Sequence, residues 1–260
     1  MSDDYFKDEK PSVFKSILGL ASFSTTLPIN VYTSIEYMTR MTWFWPFIHL
    51  VIGVLGFIIA YVCLNFLHFS NLFTAILVFT FILLITGFNH IDGVMDMADG
   101  LMVHGTAEKK ISVMKDSMVG AGGVSAAVLL CLITVGALDN LLTYNCLFGI
   151  IIVEMLSKTS LLTTALVSKP SNQGIGKYFI ESMGYKKYIL SIIIAAIISY
   201  LLCGFAGIFA LIGAVFAGGL VAHIAKHSFR VANGDVLGAS NEIGRVMALI
   251  FMLIALFYLM

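Results

Sequence analysis

Apolar runs long enough to cross a bilayer alternate with short polar interruptions along almost the whole chain. A spanning helix needs about 20 mainly apolar residues. Seven stretches approach that length: Phe44 to Leu67, Leu72 to Phe88, Gly122 to Leu138, Leu141 to Val167, Tyr188 to Cys203, Phe205 to His223 and Val246 to Met260. The pattern predicts an all-α, polytopic membrane bundle with seven transmembrane helices. The links "HFSN" (His68 to Asn71), "DN" (Asp139 and Asn140) and the Cys203–Gly204 region are short enough to predict tight antiparallel hairpins. Residues 1–42 read as a polar cytoplasmic tail and amphipathic segment without the basic n-region and cleavage site of a signal peptide. Residues 43–260 read as a single transmembrane domain.

Composition agrees with this pattern: 59% of residues are hydrophobic and 12% charged, against about 25% charged in a soluble domain. The lipid bilayer is therefore the expected surrounding. Acidic and basic residues balance at 15 each, which gives no electrostatic argument for a nucleic-acid partner. Cys63, Cys131, Cys146 and Cys203 stand singly, without metal-ligand spacing, and read as buried free thiols.

The basic residues orient the bundle. Lys7, Lys10, Lys15 and Arg40 precede the first run, and Lys109, Lys110 and Lys115 follow the second. Lys169, Lys177, Lys186 and Lys187 follow the fourth, while Lys226, Arg230 and Arg245 lie between the sixth and seventh runs. With seven crossings all of these fall on one side, so the positive-inside rule predicts a multi-pass cell-membrane protein with a cytoplasmic N-terminus and an external C-terminus. Lys158 lies inside the fourth run, four residues after Glu154, and predicts an intramembrane ion pair facing the bundle.

In that topology the stretch "GFNHIDGVMDMADGLMVHG", Gly87 to Gly105, belongs to the cytoplasmic face. Asp92, Asp96 and Asp99 are spaced i, i+4, i+7 and share one stripe of a helix. "GDVLGASNEIGR", Gly234 to Arg245, reaches the same face and supplies Asp235 and Glu242. Like charges at i,i+4 destabilise a helix, and ionised groups beside hydrocarbon are costlier still, so the arrangement predicts compensating cations. Carboxylate oxygens suit Mg²⁺, which keeps several waters and bridges to substrate phosphates. Asp92, Asp96, Asp99, Asp235 and Glu242 are thus candidate Mg²⁺ ligands of one site, with solvated loop aspartates as the alternative for any one of them.

Neighbouring residues extend the list of candidates. Gly93 and Gly100 suit close approach of backbone or ligand and equally suit ordinary turns. His90 is either an acid–base group or an interfacial histidine. In "MKDSMVGAGG", Met114 to Gly123, Lys115 and Asp116 precede a glycine-rich helix start that either cradles an anion at its amides or caps the third span. "SKPSNQGIGKYF", Ser168 to Phe179, offers Lys169 and Lys177 to substrate phosphates, although positive-inside usage explains both lysines as well.

These motifs together resemble the cobalamin synthase family, the adenosylcobinamide-GDP ribazoletransferases of late vitamin B12 synthesis. The family pattern His-x-Asp-Gly-x-x-Asp-x-x-Asp-Gly is met by His90, Asp92, Gly93, Asp96, Asp99 and Gly100. Its following Met-Lys-Asp-Ser-x-x-Gly-x-x-Gly is met by Met114, Lys115, Asp116, Ser117, Gly120 and Gly123. "GDVLGASNE", Gly234 to Glu242, is similar to the family's C-terminal motif. "FSTTLPI", Phe23 to Ile29, followed by "WFWPFIHLVIGVLG", Trp43 to Gly56, is similar to its opening segment. The resemblance implies that adenosylcobinamide-GDP and α-ribazole, or α-ribazole 5′-phosphate, are the substrates. A hydroxyl of the ribazole would attack the cobinamide-side phosphorus and GMP would leave. It further implies Mg²⁺ at the five carboxylates, catalytic roles for His90, Asp92, Lys115 and Asp116, and substrate contacts from Gly93, Gly100, Lys169 and Asn241. A homo-oligomer or a complex with other corrinoid enzymes is compatible with it. The chain departs from the family at Thr26, where arginine is usual, at Ser168–Lys169–Pro170, and at Glu154 and Lys158.

Other membrane enzymes acting on pyrophosphates are the alternative. A CDP-alcohol phosphatidyltransferase requires Ala-Arg after its Asp-Gly-x-x, whereas Asp99–Gly100 here is followed by Leu101, Met102, Val103 and His104. A prenyltransferase motif begins Asn-Asp, whereas Asn89 precedes His90. A cation-coupled transporter predicts carboxylates near the bilayer midplane, and only Glu154 lies deep in a run.

Overall fold

The computed structural model describes residues 11–31 and 33–259, and the expectations for residues 1–10 lie outside these. The helices in chain order are α1 (Val13–Ser24), α2 (Ile35–Arg40), α3 (Trp45–Asn65), α4 (Asn71–Ile85), α5 (Asn89–Met102) and α6 (Ala107–Met114). They continue with α7 (Ala121–Thr143), α8 (Phe148–Val167), α9 (Gly176–Ser182), α10 (Tyr185–Ser228) and α11 (Gly234–Leu259). Local chemistry sets several starts. The Ser12 and Ser70 hydroxyls accept the Lys15 and Phe73 amides at the N-termini of α1 and α4, and Pro46 occupies the first turn of α3. Among the described residues the β structure is a single bridge between Pro170 and Ala232.

By length and apolarity five helices can cross a membrane, or six if α4 and α5 count as one span bent by 88°. The elbow between them holds Gly87 and Phe88 in left-handed conformations. Thr26 braces it: its amide donates to the Ile85 carbonyl at 2.7 Å and its hydroxyl to Leu84 at 3.2 Å. α10 is broken at Gly204, whose φ of 55° and ψ of −139° suit glycine. A Cβ on Gly207 would meet Ser199 Cα at 3.2 Å, whereas residues eight apart in a continuous helix are separated by roughly 12 Å. The chain therefore doubles back at Gly204.

Two predicted boundaries shift. Asp139 and Asn140 are not a link but lie inside α7, where the Asn140 amide donates back to Gly136; the turn comes at Tyr144–Leu147, with Asn145 at positive φ. The last helix begins at Gly234 rather than Val246, so the motif containing Asp235 and Glu242 forms its first turns.

α8 is the axis of the bundle. Every residue from Gly149 to Ala165 is buried, with α3, α10 and α11 packed around it. Its polar side chains bond across helices: Thr164 to the Gly218 carbonyl at 2.9 Å and to Ser240 at 2.7 Å, and Ser160 to Ser240 at 3.0 Å. Such bonds and small-residue contacts are what hold helices together in lipid. Large apolar side chains, among them Leu132, Ile197, Leu201 and Phe216, face outward, as expected of a surface against hydrocarbon.

The expected Glu154–Lys158 pair is not formed. Glu154 is held by His49 at 2.9 Å and by Arg245 at 3.0 Å, while Lys158 reaches His90 at 2.6 Å. Other helices supply nearer partners: α3 and α11 bring His49 and Arg245 to Glu154, and α5 brings His90 to Lys158. All four cysteines are free, as expected, but only Cys63 is buried while the other three are half-buried, and the Cys146 and Cys203 sulfurs, from two different turns, lie 4.0 Å apart.

Candidate active site

A cleft of about 630 Å³ opens where α5 meets the start of α11. Asn89, His90 and Asp92 contribute one wall, and Asn233, Asp235 and Gly238 the next. Lys115 and the Gln173–Gly176 loop face them, and Phe23, Trp45 and Phe179 close the apolar end. The bridge at Pro170 fixes the loop, because the Ser171 amide donates to the Ala232 carbonyl and the Ala232 amide to Lys169, both at 2.8 Å. Lys115 donates to Gln173 Oε1 at 2.7 Å, which ties the end of α6 to the same loop.

The two acidic helices touch at Gly93. A Cβ there would stand 2.6 Å from the Asp235 carbonyl oxygen, so glycine is what lets the backbones approach. Gly100 likewise packs on Met114. Asp92 is exposed, Asp96 is half-buried one turn along, and Asp235 accepts from Asn233 at 2.6 Å. Asn233 also caps α11 through the Val236 amide. α5 lies past the elbow, beyond the α4 span. Burial and the neighbouring charges of Asp235, Asp92 and Asp99 together push the Asp96 carboxyl up to about 7.

This crowding predicts a pH effect. Between the ordinary carboxylate range and about 7, the folded protein holds a proton on Asp96 that the unfolded chain has lost, so stability falls as pH rises through that window. Without divalent cations the melting temperature should drop from pH 5 to pH 7.5, and Asp96→Asn should flatten that slope.

The remaining predicted residues go elsewhere. Asp99 accepts the Gly120 amide at 2.6 Å and the Gly123 amide at 2.7 Å, so the anion at the glycine-rich N-terminus of α7 is the protein's own carboxylate. Asp99→Ala should accordingly cost about 1–2 kcal/mol of stability, read as a lowered melting temperature in detergent. Glu242 is fully buried, bonded by the Arg245 guanidinium and by Asn241 at 2.9 Å. Seven residues of helix carry it about 10 Å along the axis from Asp235, into the bundle and away from the cleft. Asn241 is buried beside it. Asp116 bonds the Met118 amide in a surface turn, and Lys169 is exposed; neither lines the cleft.

Sequence reasoning missed the aromatic end and the loop residue Gln173. The Trp45 and Phe179 rings pack in a tilted arrangement 4.8 Å apart, with Phe23 at 5.1 Å from Phe179. The signal for Arg245 was its place three residues after Glu242, a helical ion-pair spacing. Among the described residues no three His, Cys, Asp or Glu groups are drawn into a metal cage. Asp92, Asp96 and Asp235 nonetheless fit Mg²⁺, which keeps waters and shares substrate phosphates rather than requiring an all-protein cage. The unrelieved repulsion at Asp96 is what such a cation would remove.

Fold and cleft define a polytopic helical membrane protein with a carboxylate rim at one end of its bundle. The family described as cobalamin-5-phosphate synthase matches residues 16–253. A relative from Methanosarcina barkeri named adenosylcobinamide-GDP ribazoletransferase is 33% identical, over 94% of this chain and 92% of its own. One of the same name from Methanococcoides burtonii is 30% identical over 90% of each chain. The chain belongs to the cobalamin-5-phosphate synthase family. No solved structure matches it.

Proposed function

We propose that this protein joins the cobinamide-side phosphoryl group of adenosylcobinamide-GDP to α-ribazole or α-ribazole 5′-phosphate. GMP is released, and adenosylcobalamin or its 5′-phosphate is formed. The carrying observation is that two carboxylates, Asp92 and Asp235, line a cleft that also presents Lys115 and an aromatic end, with the crowded Asp96 one turn behind Asp92, in a chain of this family. A new P–O bond forms from the ribazole 3′-hydroxyl as the P–O bond to GMP breaks, and the hydroxyl proton passes to a rim carboxylate. Lys115, held by Gln173, steadies the diphosphate. Mg²⁺ held by Asp92, Asp96 and Asp235 would neutralise phosphate and carboxylate charge together. The cleft has the volume of a small-ligand pocket, so the nucleotide diphosphate enters it and the corrin ring stays outside.

The lysine distribution supports seven crossings of the cell membrane, counting the two arms of α10 separately. The cleft and N-terminus then face the cytoplasm and the C-terminus lies outside. The test is metal removal: membranes treated with EDTA should lose formation of the ribazole-containing corrinoid, followed by mass spectrometry, and regain it with Mg²⁺. Full product formation in EDTA would reject the metal assignment. No product with either acceptor in Mg²⁺, where a relative forms it, would reject the reaction.

A further inference from the structure

Lys158 is a buried charge that the proposed reaction leaves unused. Its side chain is wholly buried in α8, and it enters none of the ion pairs among the described residues. Burying a cation without a carboxylate is costly, so what it touches matters. Nζ lies 2.6 Å from His90 Nε2 and 4.8 Å from the centroid of the Trp45 ring. Both of those residues line the cleft. Each also has a buried ring nitrogen without a partner among the described residues, His90 Nδ1 and Trp45 Nε1.

Lys158 as an ammonium can only donate; His90 Nε2 then accepts across this contact, and a neutral ring in that arrangement carries its hydrogen on Nδ1. The indole Nε1 is likewise a donor only. The α5 wall and the aromatic end of the cleft thus each carry one buried, unpaired N–H donor, both beside the Lys158 cation, a set suited to the oxygens of a phosphoryl group.

We propose that Lys158 is a positioning residue: it locks His90 as an Nδ1–H donor which, with Trp45 Nε1–H, receives a phosphoryl group of the substrate. His90 then orients the substrate and does not take the hydroxyl proton. The phosphoryl group belongs either to the diphosphate of the donor or to the 5′-phosphate of the acceptor. This inference rests on the reaction proposed above only for naming those two sources.

The chain has two tryptophans, and Trp43→Phe leaves Trp45 alone as a reporter in the purified full chain. Its emission is followed in EDTA during titration with GDP, with α-ribazole 5′-phosphate and with α-ribazole. A response to GDP, to the ribazole phosphate or to both, but not to α-ribazole, is expected and identifies the source. Lys158→Met should weaken that binding at least tenfold, Lys158→Arg should restore most of it, and His90→Phe, which keeps the ring but removes the donor, should weaken it as Lys158→Met does. In turnover the loss should fall on KM for the phosphoryl group concerned. Equal responses to all three ligands would overturn the proposal. So would wild-type binding in a Lys158→Met protein of unchanged melting temperature, or, if that variant does not fold, wild-type binding by His90→Phe. If the wild-type protein forms no GMP yet binds GDP in a Lys158-dependent way, the reaction fails and the donor pair stands.

Discussion

Asp92→Asn should lower GMP release from adenosylcobinamide-GDP by roughly 10²–10³-fold, the loss typical when one preorganised charge-stabilising group is removed from an active site. The melting temperature should not fall. The Asp92 carboxylate is exposed at the cleft, with no side-chain hydrogen bond to another described residue, so the fold does not depend on its charge. Neutralising it also relieves one of the charges acting on Asp96, which favours the folded state. Initial rates at saturating Mg²⁺, beside a thermal melt, separate the two effects. The opposite pattern is expected at Asp99, where the carboxylate holds two amides of α7 and stability falls first.

Arg245→Met should destabilise the protein by about 3–5 kcal/mol, the cost of breaking a buried ion pair by removing one partner. Arg245 is 1% exposed and bonds both Glu154, at 3.0 and 3.2 Å, and Glu242. Without it two carboxylates remain buried between α8 and α11, and His49 alone is left on Glu154. Unfolding in detergent followed by circular dichroism measures the change. Replacing Arg245, Glu154 and Glu242 together by apolar residues should cost less than Arg245→Met alone, because no charge is then left unpaired. A single variant as stable as wild type would remove the network from the account of the fold.

The parts legible in the sequence were those with a period. Apolar runs marked the helices, and the i, i+4, i+7 spacing of Asp92, Asp96 and Asp99 marked the stripe on α5. The meeting of two acidic segments followed from topology, and Gly93 against Asp235 is where they touch. What was illegible depended on contacts between helices. Nothing local distinguishes Asp99, turned to the α7 amides, from Asp92, open to the cleft. Spacing placed Glu242 beside Asp235, yet Arg245 and Glu154 hold it inside the bundle. Lys158 was legible as a buried charge. Its partner was not, since His90 lies 68 residues away and the nearer Glu154 is already taken. The elbow after α4 was hidden within an unbroken apolar run ending at Phe88, where only Gly87 hinted at it.

The central claim is a transfer from a diphosphate at the carboxylate rim. It is tested most directly by incubating purified protein with adenosylcobinamide-GDP, α-ribazole 5′-phosphate and Mg²⁺ and measuring GMP against ribazole-containing corrinoid. The wild-type protein should give the two products in equal amounts, and almost none when the ribazole is omitted or Asp92 is replaced by Asn. GMP release that does not depend on the ribazole, or undiminished product from Asp92→Asn, would contradict it.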